Sequence, residues 1–321
     1  MADKPTVLVT RKLPDAVEER LSRLFEARLN ADDRQMGPDD ILAAAQGADG
    51  LLICLTERLD GDLIAKLPAS VRIVSTYSVG FNHIDLAAAR GRGIVVTHTP
   101  EAVTDATADA TMLLILAAAR RAHEFQLMLR EGRWRRWSAV GTLGTDIGGK
   151  RLGIVGLGRI GRAVARRARA FGMEIHYHSR TPLPEPMAEG AIHHPTLANL
   201  FAACPVVSLH CPSTPETRGM IDATSLGWLP PGAILVNTAR GDLVVDDDLI
   251  AALADGRLAA AGLDVFDGEP EFDKRYLDLP NAYLLPHIGT STIETRERMG
   301  FDATNNLESF FAGREPPFRV V

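Results

Sequence analysis

Three side chains of complementary chemistry recur at the ends of strand-like segments. Arg240 follows an apolar run in Asn237-Thr238-Ala239-Arg240-Gly241, Glu269 stands in Asp264-Val265-Phe266-Asp267-Gly268-Glu269-Pro270, and His287 in Leu284-Leu285-Pro286-His287-Ile288-Gly289. An arginine grips a carboxylate and an adjacent keto oxygen with its planar fork. A histidine protonates a developing alkoxide, and a neighbouring carboxylate keeps the imidazole charged and oriented. Together these types suit hydride transfer to a 2-oxo acid. His210 also ends a strand-like run and competes with His287 for the acid's role. Cys211 has no evident basic partner, which points to packing rather than nucleophilic chemistry.

A hydride needs a donor, and the chain carries a place for one. The apolar residues 152–155 run directly into Gly156-Leu157-Gly158-Arg159-Ile160-Gly161, and residues 159–171 follow as an alanine-rich helical stretch. Gly156 permits a tight turn, Gly158 lets backbone approach a pyrophosphate, and Gly161 lets helix and strand pack closely. The helix start then offers free N–H groups and a positive dipole end to phosphates. About 20 residues further on, NAD sites usually place a carboxylate for the ribose. Here the second strand ends Tyr177-His178-Ser179-Arg180-Thr181. Ser179 and Thr181 can donate hydrogen bonds, and Arg180 can pair with a 2′-phosphate. The expected cofactor is NADP(H), with NAD(H) as the alternative. Arg162, Arg166 and Arg169 fall on one helical face and read as a solvated face.

The elements around these residues form two βα arrays. Strand-like segments at 7–9, 50–55, 71–75 and 94–97 alternate with helical stretches at 15–25, 39–46 and 85–90. A long helix starts near Thr104 and reaches about Arg120, and residues 134–149 lapse into an extended arm or loop. Strands then recur at 152–155, 174–178, 206–209, 233–236, 259–263 and 282–285, and a last helix covers 291–311 and is expected to pack back on the first array. Such alternation signals parallel sheets with crossover helices. The expected fold class is α/β, a flavodoxin-like and a dinucleotide-binding Rossmann-like domain with a cleft between them. The expected domains are 1–99 plus 291–321 for substrate and 100–290 for NAD(P).

The 321 residues suffice for two such domains, and a composition 46% hydrophobic and 24% charged fits a soluble α/β protein. A net charge of −6 gives no nucleic-acid footprint. Three scattered cysteines, Cys54, Cys204 and Cys211, suggest neither a disulfide framework nor a metal site. The lead-in Met1-Ala2-Asp3-Lys4-Pro5 carries no signal-peptide core and the apolar run 112–119 is too short to span a bilayer. A cytoplasmic protein without membrane or nucleic-acid partners is expected.

Taken together, these segments and Ser78-Val79-Gly80-Phe81-Asn82-His83-Ile84-Asp85 resemble the D-isomer-specific 2-hydroxyacid dehydrogenases, across nearly the whole chain and with the glyoxylate/hydroxypyruvate and 2-ketogluconate reductase branch as the nearest likeness. The resemblance implies that Arg240, Glu269 and His287 are catalytic. It implies that the Val79 and Gly80 backbone grips the substrate carboxylate, with Leu55 lining the pocket. Further cofactor contacts are implied at Cys211, Pro212, Thr217, Thr238, Ala239, Asp264 and Gly289. Residues 134–142 of the arm resemble the family's dimer-forming segment, with Trp137 the residue expected to reach the partner's site. The implied activity is NADPH-preferring reduction of glyoxylate, hydroxypyruvate and 2-ketogluconate to D-2-hydroxy acids by a homodimer. Formate dehydrogenases pair their histidine with glutamine rather than a glutamate such as Glu269, and many phosphoglycerate dehydrogenases carry an added C-terminal regulatory domain. A dinucleotide-sensing corepressor on the same fold is the alternative of a different class.

Overall fold

The computed structural model describes residues 4–321, so the Met1-Ala2-Asp3 lead-in lies outside the described residues. The chain divides into two compact units, residues 1–103 with 291–321, and residues 104–290.

The first unit holds a five-stranded sheet built from β1 (Thr6–Val9), β2 (Glu26–Arg28), β3 (Gly50–Ile53), β4 (Ile73–Thr76) and β5 (Val95–Thr97). Every pairing is parallel, in the order β2-β1-β3-β4-β5, the flavodoxin-like arrangement. Its helices are α1 (Asp15–Leu24), α2 (Pro38–Ala44), α3 (Gly61–Lys66) and α4 (Leu86–Gly91). Asp60 and Asp85 start α3 and α4 by accepting from Leu63 N and Ala88 N, filling donors a helix start leaves open. Leu8, Leu51, Ile53, Val74 and Val96 build the core on one face of the sheet. The last helix of the chain returns to the other face, where Ser75 Oγ donates to Ala303 O at 3.2 Å.

The second unit opens with α5 (Thr104–Ala119) and α6 (Ala122–Arg130). The long helix ends where expected, but Arg121 turns left-handed (φ 52°) and a second helix follows. The residues from 131 to 150 contain no helix or strand. Then come β6 (Arg151–Val155), α7 (Arg159–Ala170), β7 (Glu174–His178), α8 (Glu185–Ala188), β8 (Ile192–His193), α9 (Leu197–Ala203), β9 (Val206–Leu209), α10 (Ala223–Trp228), β10 (Ala233–Asn237), α11 (Asp246–Ala254), β11 (Leu258–Leu263) and β12 (Ala282–Leu284). The chain closes on α12 (Ile293–Phe311), which belongs to the first unit.

The seven strands run parallel in the order β12-β11-β10-β9-β6-β7-β8. Read from β6, this is the doubly wound dinucleotide order extended by one strand. Alternate side chains feed two cores. Leu152 and Ile154 face one cluster, and Val155 with Val207 and Leu235 the other. Burial on both faces explains why these strands read as continuous apolar runs. The order reverses between β6 and β9, and ligands of open α/β sheets bind outside the strand ends at such a switch point.

Candidate active site

The glycine turn occupies that switch point. Gly156 takes φ +94°, and a Cβ there would lie 2.9 Å from Cys211 N and 3.0 Å from the His210 carbonyl. At Gly161 a Cβ would stand 2.3 Å from Gly156 O, so the first turn of α7 rests on the β6 turn. Gly158 is the contrast: a Cβ there meets nothing within 4 Å. No protein contact requires a glycine at that point, so its missing side chain keeps open a space beside the helix start. Arg159 and Ile160 form the first positions of α7. The residues present fit a dinucleotide whose pyrophosphate approaches Gly158.

Ser179, Arg180 and Thr181 lie just past β7, next to that turn in the sheet, and Gly156 N donates to His178 O at 2.9 Å. Ser179 Oγ donates to Thr181 O at 2.7 Å, closing the loop on itself. Arg180 is exposed and makes no hydrogen bond or ion pair among the described residues, although its charge acts on Glu216. Arg166 and Arg169 instead pair with Glu189, so they do not form a free basic patch. On the next strand Cys211 lies by Met220, its thiol pushed up to about 11 by burial. Thr217 Oγ1 donates to Pro212 O at 2.8 Å and fixes the turn after β9.

The ends of β10, β11 and β12 carry the reactive groups. Glu269 Oε1 lies 2.5 Å from His287 Nδ1, and Oε2 accepts from Phe266 N at 3.1 Å. The side chains are 34% and 30% exposed for His287 and Glu269, partly shielded yet open to a ligand. With Nδ1 on the carboxylate, Nε2 of His287 has no partner among the described residues. His287 holds φ 53°, an uncommon conformation for a side-chain-bearing residue. What sustains it is Asp264, 1% exposed, whose two oxygens accept from Ile288 N at 2.7 Å and Gly289 N at 2.8 Å. Burial raises the Asp264 proton affinity, and those two N–H groups and His287 oppose the rise.

Arg240 is half-buried just past β10. One Nη1 contact goes to Ala239 O at 2.6 Å, and no carboxylate pairs with its guanidinium among the described residues. A Cβ on Gly241 would fall 1.8 Å from the Phe266 carbonyl carbon, so this loop presses on the segment that leads to Glu269. Asn237 was not singled out by sequence reasoning, yet it organises the loop. Its Nδ2 donates to Arg240 O at 2.8 Å and its Oδ1 accepts from Ala239 N at 2.9 Å. The available signal was an amide at the end of an otherwise apolar strand. Thr238 is buried against Thr111, hydroxyl to hydroxyl at 2.9 Å. His210 differs from His287: its Nε2 meets Ser208 Oγ at 2.8 Å, and burial pushes the imidazole down to about 3.

In the first unit, Leu55 stands 48% exposed just past β3. Beyond β4, the Val79 carbonyl is taken by His98 Nδ1 at 2.8 Å and the Gly80 carbonyl by Ser78 Oγ at 2.7 Å. The amides of Val79 and Gly80 donate to no described group. Two successive N–H groups are thus left for an acceptor from outside the described residues. In the arm, Trp137 is 78% exposed, and Trp134, Val140 and Leu143 also face solvent. No group of histidine, cysteine or carboxylate side chains fit for a metal occurs among the described residues. No described helix is long and apolar enough to cross a membrane.

This fold and these groups define an oxidoreductase class, with a dinucleotide turn on one side of the switch point and an imidazole–carboxylate pair with a free guanidinium on the other. Residues 112–289 match the family described as D-isomer specific 2-hydroxyacid dehydrogenase, NAD binding domain. A glycerate dehydrogenase of Hyphomicrobium methylovorum is 41% identical over 320 residues, covering 99% of both chains. A glyoxylate reductase of Thermococcus gammatolerans is 42% identical over 99% of this chain and 96% of its own. An NADPH-dependent glyoxylate/hydroxypyruvate reductase from Sinorhizobium meliloti, solved in complex with NADP and malonate, is 34% identical, with a TM-score of 0.88 over 99% of this chain and 97% of its own. The chain belongs to the D-isomer specific 2-hydroxyacid dehydrogenase family, whose members are NAD(P)-dependent enzymes.

Proposed function

We propose that the protein is an NADPH-preferring reductase of small 2-oxo acids, acting on glyoxylate and hydroxypyruvate, with 2-ketogluconate as a wider substrate, and yielding D-2-hydroxy acids. The observation that carries this reading is the His287–Glu269 pair at 2.5 Å with Nε2 of His287 left free. Arg240 holds the substrate carboxylate and keto oxygen, and the Val79 and Gly80 amides take the carboxylate as well. When bound, the nicotinamide cofactor would supply the hydride that the keto carbon takes up. His287 donates its Nε2 proton to the carbonyl oxygen, which becomes the hydroxyl, and Glu269 stabilises the imidazolium before the proton leaves. Asp264 and Asn237 hold His287 and Arg240 in place through backbone.

Arg180 supports the cofactor preference, because a guanidinium without a protein carboxylate on it suits a 2′-phosphate. The names borne by the Thermococcus and Sinorhizobium relatives support the substrate class. Residues 1–99 with 291–321 serve the substrate and 100–290 the cofactor in this reading. A homodimer in the cytoplasm belongs to the same proposal. The exposed apolar side chains of the arm, Trp134, Trp137, Val140 and Leu143, support the dimer, and Trp137 is the residue assigned to reach the partner. The test is the ratio of kcat/KM with NADPH to that with NADH. The ratio exceeds one in the unaltered protein and falls about tenfold or more in Arg180→Ala, the scale of one charge-assisted contact. Equal efficiencies, or a ratio indifferent to Arg180, overturn the cofactor preference.

A further inference from the structure

Arg296 lies in the first turn of α12, in the first unit. Its carbonyl accepts from the Tyr77 hydroxyl at 2.5 Å. Tyr77 immediately follows β4, and its N–H donates to Ile53 O, the end of β3, at 2.7 Å. These bonds tie the start of α12 to the C-terminal edge of β3 and β4, the edge that carries Leu55 and the Val79-Gly80 turn. The half-buried guanidinium donates to Ser291 Oγ at 3.0 Å. It also acts on the Tyr77 hydroxyl and on the Cys54 thiol, where its charge works against the burial that pushes Cys54 up to about 12.

What Arg296 lacks is a carboxylate. Among the described residues no ion pair reaches it, while Arg11 pairs with Asp33 and Arg20 with Glu308 in the same unit. The buried carboxylate of the neighbouring loop, Glu57, is already engaged by Thr10 Oγ1 at 2.7 Å, Cys54 N at 2.8 Å and Thr56 Oγ1 at 2.6 Å. Among the described residues, the one side-chain partner of this half-buried guanidinium is the neutral Ser291 hydroxyl. Such a group gains most from an anion or strong acceptor arriving from outside.

We infer that Arg296 is a specificity-determining residue that binds the far end of the substrate, a C3 hydroxyl or a second anionic group, beside Leu55. The identity of the reaction rests on the function proposed above, whereas the anion subsite rests on the first unit alone. Glyoxylate has no far end, so it cannot use the subsite. Hydroxypyruvate and 2-oxo diacids can.

The experiment compares the full chain with Arg296→Gln and Arg296→Lys in two readouts. In the first, the ratio of kcat/KM for hydroxypyruvate to that for glyoxylate falls about 10- to 100-fold in Arg296→Gln, the range of a charge-assisted hydrogen bond, and is partly restored in Arg296→Lys. In the second, the NADPH-loaded protein is titrated with malonate and with acetate by tryptophan fluorescence. Malonate loses its advantage over acetate in Arg296→Gln by a similar factor. Equal losses for both oxo acids, or for both carboxylates, overturn the inference and make Arg296 a structural or C1-carboxylate residue. If the unaltered protein reduces neither oxo acid while the malonate advantage still depends on Arg296, the reaction assignment fails and the subsite stands.

Discussion

His210 and His287 both stand just past parallel strands of the second sheet, and their surroundings differ in every respect that matters for proton transfer. His210 meets a neutral hydroxyl, Ser208, and burial pushes it down to about 3, so it stays neutral throughout the physiological range. His287 meets a carboxylate, keeps its other nitrogen free, and sits in a left-handed backbone held by the Asp264 carboxylate, which accepts from the Ile288 and Gly289 amides. Position at a strand end therefore does not make a histidine an acid. The partner on the second ring nitrogen and access to the first decide it.

The largest effect expected from this contrast is on turnover. His287→Ala lowers kcat by ~10² to 10⁴-fold, the usual worth of general acid catalysis, while the NADPH dissociation constant measured by fluorescence titration stays within a few-fold. His210→Ala, assayed side by side, keeps kcat within about tenfold. A comparable loss in both variants breaks the distinction.

A second contrast lies within the glycine turn. Gly161→Ala forces a Cβ to 2.3 Å from the Gly156 carbonyl, and the strain costs about 1–3 kcal/mol of stability in denaturant unfolding. Gly158→Ala meets no protein atom within 4 Å. It leaves unfolding nearly unchanged and weakens NADPH binding instead. Equal destabilisation by both variants would contradict the assignment of Gly158 to the cofactor.

The smallest effect concerns acid stability. Because folding lowers the proton affinity of His210, the unfolded chain binds a proton that the folded chain refuses between about pH 6.5 and 3. Stability therefore falls as the pH falls through that window, by up to ~1.4 kcal/mol per pH unit from this group. Urea unfolding at several pH values should show a shallower acid decline in His210→Gln. An unchanged slope would remove His210 from the set of buried neutral histidines.

Much of this is legible in the sequence. The glycine turn is readable because steric demands at Gly156 and Gly161 act through residue type at a fixed spacing. The continuous apolar strands β6, β9 and β10 are readable because both sheet faces are covered. Short or amphipathic pieces were not readable. The segment Glu26–Arg28 has no apolar run, and its strand exists only through pairing with β1. Likewise α3, α6, α8, β8 and α9 are two to nine residues long, and tertiary contacts rather than local pattern define them. At the site, Arg240, Glu269 and His287 stand out by type. The supports Asn237 and the Asp264 clamp depend on loop geometry that residue spacing does not encode.

The most direct test of the central claim is the oxidation of NADPH by the unaltered protein, followed by absorbance in the presence of glyoxylate or hydroxypyruvate. The account predicts saturable turnover, one NADPH consumed per oxo acid, and a D-2-hydroxy acid as product. NADPH binding with no consumption in the presence of either acid would contradict it, and would leave a protein that senses the dinucleotide without reducing these oxo acids.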